Sequence, residues 1–405
     1  MRASQLPVVL PGVGTFGPHS LPSVRHFLIA ACCAVSLGAG AQPTAPAPAD
    51  TAALTAQLRQ LWQQSDFPGF AVAMVRPDGV VYEHGFGYAN KVRRTPYTPA
   101  TVQGVGSVSK TLIGVALLQA AAAGQLRLDQ PVNELLPFAV RNPYSINKPT
   151  TLRQLATMTA GLTDDQRFYG KHACAKGTTT PISSEEYLRR TLSVGGKWYS
   201  KRRFVAHAPG TYYAYSNESA ALAALVIEKA TGQPYSEFTR QHILQPLGLT
   251  DSGWLYAEVD SARLAILYDR RGRAVPLYYT ITYPDGGLLT STHSLARYLH
   301  AIINPAGTGG APLPPAAVDS LLRPQFAAGH LPQHLAPGEP NQGFWAHRRN
   351  GTVGHTGGDS GLSTFLFFDP ATRVGKIFVT NTEVHDAPRS LAQFKAIWKL
   401  LDGVR

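Results

Sequence analysis

The sequence has little cysteine, little methionine and little charge. Of 405 residues, three are Cys and three are Met, and Asp, Glu, Lys and Arg together make up 15%. Cys32 and Cys33 lie in an apolar run near the start; if that run is removed, only Cys174 remains. An intramolecular disulfide and a Cys-x-x-Cys metal site are then both excluded. An apolar fraction of 44% excludes a disordered chain. No Gly-x-Ser-x-Gly occurs, so the nucleophile elbow of an α/β-hydrolase is absent. His293, His300, His330, His334, His347 and His385 show no His-Glu-x-x-His or other ligand spacing, and no metal centre is expected.

Acidic residues are scarce beside basic ones, 25 against 37, for a formal charge of +12. Such a balance raises the question of an anionic partner. The basic residues are scattered, however. Their densest groups are Arg93-Arg94, Lys201-Arg202-Arg203, Arg270 to Arg273 and Arg348-Arg349, and none has the interleaved aromatics of a single-strand groove. A solvated basic surface is expected, and no nucleic-acid partner.

What is present begins with Arg25-His26 and the apolar run Phe27 to Gly40, ending in Ala39-Gly40-Ala41. The run is shorter than the ~20 residues of a membrane span and has the order of a secretory signal. Residues 1–41 are therefore expected to be a signal peptide and 42–50 a Pro/Ala linker, placing the mature chain in the periplasm or outside the cell. No transmembrane segment is expected once the signal is gone. Lipid anchoring at Cys32 is the second reading.

From residue 51 onward the chain reads as α+β. Leu54, Leu58, Leu61 and Trp62 share one helical face. Two strand-like runs, "FAVAMVR" and "VVYEHGFGYAN", flank Pro77-Asp78-Gly79, a hairpin signal. The far end repeats the pattern: "STFLFFD" and "VGKIFVTNT" flank a turn, and a last helix carries Leu391, Phe394, Trp398 and Leu401. The expected architecture is an antiparallel sheet flanked by N- and C-terminal helices, with an inserted mainly helical lobe. The α/β lobe is assigned to 51–106 plus 275–405 and the helical lobe to 107–274. Thr151 and Gln154 have capping-box spacing, Gly232 reads as a helix C-cap, and the polar, basic segment 163–204 reads as a long irregular loop beside a cleft.

The stretch "GVGSVSKTLIG", Gly104 to Gly114, admits two readings. It is a phosphate-binding loop with Ser109 where Gly is needed, or it is Ser-x-x-Lys from Ser107 to Lys110. The residues before Gly104 are polar and turn-prone rather than a buried strand, which disfavours NTP binding. In the second reading a buried helix runs from Val108, and Lys110, three residues on, reaches the Ser107 hydroxyl. Burial favours a neutral, basic lysine, and the helix start offers N–H groups to an oxyanion.

Two further elements fall in order behind it: Tyr215-Ser216-Asn217, and His355-Thr356-Gly357 followed by Gly358. With them the sequence resembles the serine β-lactamase and penicillin-binding-protein superfamily. The likeness is to the branch holding class C β-lactamases, DD-peptidases, D-aminopeptidases and related esterases. It runs from about Gly69 to Thr382. The resemblance implies a β-lactamase/transpeptidase-like fold in which Tyr215 carries protons near Ser107 and Lys110, and Asn217 binds the acyl-amide. It also implies that the strand His355 to Gly358 borders the cleft, with the Gly358 N–H completing an oxyanion hole. A tyrosine-rich strand would also account for Tyr215, since Tyr212 and Tyr213 are close by.

His355 departs from the β-lactamase pattern, which has lysine there, and a histidine is charged only part of the time near neutral pH. The expectation is an exported serine hydrolase without cofactor, acting through an acyl-enzyme on a small-molecule or peptide substrate, with peptidoglycan-derived peptides, β-lactams and small esters all open. The alternative is a penicillin-recognising sensor that is acylated without turnover.

Overall fold

Thr51–Gln63 forms helix α1, with Leu54 and Leu58 buried, as their spacing requires. The computed structural model describes residues 51–306, 314–327, 329–335, 343–349, 351–384 and 387–403. The signal and linker expected at 1–50, and His385, lie outside the described residues.

Strands β1 (Gly69–Arg76) and β2 (Gly79–Asn90) make the expected hairpin, and β3 (Thr95–Pro96) adds to it. A short strand β4 (Val102–Gly104) precedes a 3-10 turn, Gly106–Ser109, and helix α2 (Lys110–Ala122). Then come α3 (Leu152–Ala156), α4 (Gln166–His172), β5 (Cys174–Lys176), α5 (Ser184–Leu192), α6 (Asn217–Thr231) and α7 (Tyr235–Thr239). The chain returns through β6 (Tyr278–Thr280), β7 (Leu289–Ser291), α8 (Thr292–Ile303) and α9 (Pro315–Leu322). It closes with β8 (His347–Arg349), β9 (Thr352–Asp359), β10 (Leu362–Asp369), β11 (Val374–Thr380) and α10 (Pro388–Asp402).

The main sheet is antiparallel, in the order β3-β2-β1-β11-β10-β9-β8. The two ends of the chain meet in its middle, Phe70 opposite Thr380 and Val72 opposite Phe378. One face of β1 presents Phe70, Val72 and Met74 to Leu58 of α1 and to Phe394 and Ile397 of α10. The other presents Ala73 and Val75 to the larger core, which includes Leu299 of α8. Both faces are covered, so β1 reads as an unbroken apolar run although its sheet is antiparallel. Each such side chain fully buried contributes about 1.5–3 kcal/mol.

Helix α2 is buried nearly all round, Lys110 included. The Thr151–Gln154 capping box is present, and Gly232 ends α6 with φ 70. Segment 163–204 departs from the expected irregular loop. Asp165 and Ser183 cap α4 and α5, and β5 pairs with β6. Polar composition concealed these helices because their start signals are themselves polar residues.

Candidate active site

Ser107 sits in the 3-10 turn rather than in the first turn of α2, and the turn is locked from both sides. Ser109 Oγ donates to Gly106 O at 2.7 Å and accepts the Leu288 N–H at 3.1 Å. The residue that spoils the phosphate-loop pattern thus secures the nucleophile's turn. Strand β9 lies directly against it. A Cβ on Gly357 would come within 1.9 Å of Val105 O, and one on Gly106, at φ 56, within 2.8 Å of Gly358 N. Only glycine allows this approach. Ser107 and Gly358 consequently line one cavity.

Lys110 is fully buried. Its Nζ donates to Ser107 Oγ at 3.1 Å, Asn217 Oδ1 at 2.7 Å and Asp285 O at 2.6 Å, and lies 5.2 Å from the centre of the Tyr215 ring. Three acceptors take three ammonium hydrogens, which satisfies a buried charge. Loss of one of these hydrogens leaves a lone pair on Nζ that can take the Ser107 proton.

Asn217 opens α6, and its position is fixed by residues outside the sequence motifs. Asp164 accepts the Ser216 hydroxyl at 2.8 Å and the backbone N–H of Asn217 at 2.7 Å. One residue on, Glu218 is buried against Arg203 at 3.0 Å and accepts the Tyr187 hydroxyl at 3.1 Å. These contacts bind segment 163–204 to the start of α6. Asp164 and Glu218 were not among the expected site residues; their acidic character at a helix N-terminus was the available signal.

Asp285 is a second addition. Its carbonyl receives Lys110, and its carboxylate accepts the Tyr169 hydroxyl at 2.7 Å. Burial pushes this carboxyl up to about 6, against the pull of the Lys110 charge. A carboxyl raised from 3.8 supplies stability that is complete below the unfolded value and lost as pH rises through about 6. At one pKa unit per 1.36 kcal/mol, the loss is roughly 3 kcal/mol. Asp285→Asn should therefore be more stable than the parent at pH 8 and equal to it near pH 4, read from urea midpoints. An unchanged difference across that range would remove Asp285 as its source.

His355 is 2% exposed. Its Nδ1 lies 2.5 Å from Thr356 O and its Nε2 3.0 Å from His347 Nε2. A carbonyl can only accept, so Nδ1 carries hydrogen, and the facing Nε2 atoms share a single proton. His347, on neighbouring β8, was read only as one of six histidines without ligand spacing. The two strands bring it against His355, and both rings approach Tyr215 at 6.0 and 6.2 Å. Thr356 is half-buried on the same strand.

The cavity, about 240 Å³, is lined by Ser107, Asn217, Gly358, Asp285, Asp359 and Tyr169 among others. Cys174 lines it too, but burial pushes its thiol up to about 12, leaving it unreactive at neutral pH. Among the described residues no His, Cys, Asp and Glu cluster could hold a metal ion, and no helix is long and apolar enough to cross a membrane.

A serine turn carrying a buried lysine, set between an antiparallel sheet and a helical layer, defines the β-lactamase-like class of serine hydrolases. The family model described as Beta-lactamase matches residues 54–396, and the chain belongs to this family. It is 24% identical over 340 residues to Protein flp of Staphylococcus aureus (strain MW2), covering 81% of this chain and 62% of that protein. The chain thus spans less than two thirds of the length of Flp. A beta-lactamase of Pseudomonas fluorescens is 26% identical over 363 residues, covering 81% of this chain and 92% of that one. Among solved structures, the octameric penicillin-binding protein homologue from Pyrococcus abyssi superposes with a TM-score of 0.69 at 25% identity, covering 87% of this chain and 78% of that one.

Proposed function

We propose that the chain is an exported serine hydrolase that works through a covalent acyl-enzyme on a small amide or ester. The observation that carries this reading is the 3.1 Å contact between Lys110 Nζ and Ser107 Oγ at the wall of a cavity. Ser107 Oγ attacks the substrate carbonyl, and its proton passes to the Lys110–Tyr215 pair. The N–H groups of Ser107 and Gly358 receive the oxyanion as it forms. Asn217, bonded to Lys110, orients the substrate amide. The proton returns to the leaving group, and water then releases the acyl chain. Export rests on the apolar run Phe27 to Gly40.

Intact-mass spectrometry after incubation with a labelled penicillin and with p-nitrophenyl butyrate tests the reading. A single adduct on Ser107 that decays with product release is expected. Lasting label without hydrolysis would favour a sensor, and label on another residue would overturn the mechanism.

A further inference from the structure

Although the chain carries a formal charge of +12, its cavity has the opposite sign. Asp285 and Asp359 both line it, and among the described residues no Lys, Arg or His side chain does. Lys110 sits behind Ser107 with its hydrogens committed, and His355 is buried against His347. A substrate carboxylate would meet two acids on the cavity wall, with the nearby cation, Lys110, set behind Ser107.

Asp359 is the accessible acid of the pair, half-buried where Asp285 is 3% exposed. It directly follows Gly358 and lines the same cavity as Ser107. It also lines a narrow slot that shares Thr280, Gly286 and Asp359 with the nucleophile's cavity. Tyr256, Tyr278, Tyr279 and Leu267 form the slot's walls. Asp359 Oδ1 accepts the Ser360 N–H at 2.7 Å, while the Tyr278 hydroxyl beside it donates to Ser360 O at 3.3 Å. Of about four lone-pair positions on a carboxylate, the Ser360 contact uses one. An acid among aromatic faces suits a cation. The slot measures about 30 Å³, and since a water needs roughly 10–15 Å³ on this measure, it admits –CH₂–NH₃⁺ but not a trimethylammonium.

We propose that Asp359, walled by Tyr256 and Tyr278, is the specificity group of this site and binds a primary ammonium close to the substrate carbonyl. The substrate is then an amide or ester of an acid with a free amine, rather than one that presents a carboxylate. The inference rests on the acyl-enzyme reading above. Burial holds the Asp359 carboxyl above its ordinary range, and a bound ammonium would draw it back down.

The test uses the full chain with p-nitrophenyl butyrate as reporter and alaninamide, N-acetylalaninamide and N-succinylalaninamide, each in both hands, as competitors. Alaninamide should inhibit with a Ki about tenfold or more below the other two. This advantage should fall to within about threefold in Asp359→Asn and be partly kept in Asp359→Glu. Should Asp359→Asn not fold, the parent protein decides. Its preference for alaninamide should vanish as the amine deprotonates above its pKa of about 8, while inhibition by N-acetylalaninamide stays flat. Equal or inverted Ki values, an advantage unchanged in Asp359→Asn, or one that survives deprotonation would each overturn the proposal. If neither the ester nor penicillin acylates Ser107, the acyl-enzyme reading falls and this inference with it; turnover with no amine preference overturns the inference alone.

Discussion

Ser107→Ala should lower kcat/KM by on the order of 10⁴-fold or more on every substrate the chain turns over, and should abolish the covalent adduct. The cavity offers no substitute nucleophile. The Cys174 thiol is held at about 12 and the buried Tyr169 hydroxyl well above its ordinary range. What remains is the backbone donors of the turn and of Gly358, which the substitution leaves in place, so residual catalysis over water is expected rather than none. Stability should change little. The hydroxyl supplies one of three acceptors to Lys110, and losing one such bond costs about 0.5–1.5 kcal/mol. Activity and melting temperature measured on the same preparation separate the two effects. An alanine variant that kept full activity would show the mechanism to be wrong.

Where the sequence was legible, the relevant interactions were local. Ser107 and Lys110 are three residues apart, so helical spacing alone brings them together. Strands β1, β2, β10 and β11 announced themselves through apolar runs and turn residues, and α1 and α10 through their periodicity. Tyr215, Asn217 and the strand His355 to Gly358 were nominated only by resemblance, because nothing local in those residues points at Ser107. The supporting groups were out of reach for the same reason. Asp285 meets Lys110 across 175 residues and Asp164 meets Asn217 across 53. His347 and His355 are only eight apart, yet the two residues after His347 read as a basic surface group, which hid strand β8. Ser109 looked like a defect in one motif because its real partner, the N–H of Leu288, is 179 residues away. Charged and polar residues that act by long-range pairing carry no periodic signal, whereas apolar faces do.

Lys110→Ala should cost about 10²–10⁴-fold in acylation at neutral pH, the range for a lost general base, with the protein still folded. Two opposing terms keep the fold intact. Removing the side chain leaves Asn217 Oδ1 and Asp285 O without their donor, at about 1–3 kcal/mol for each buried group left unpaired. It also relieves the burial of an ammonium that is fully enclosed. Circular dichroism with a labelled-penicillin time course reads both sides, and undiminished acylation at neutral pH would remove Lys110 from the mechanism. The variant has a second consequence that a purely structural lysine would share but a distant one would not. Because the Lys110 charge is what pulls the Asp285 carboxyl down towards about 6, its removal should let that carboxyl rise further. The loss still begins near the unfolded value of 3.8 but continues to a higher pH, so the alanine variant should lose more stability than the parent as pH rises from 4 to 8. Catalytic loss together with this larger pH dependence of stability would mark Lys110 as both the proton carrier for Ser107 and the counter-charge that keeps a buried acid ionisable beneath the site.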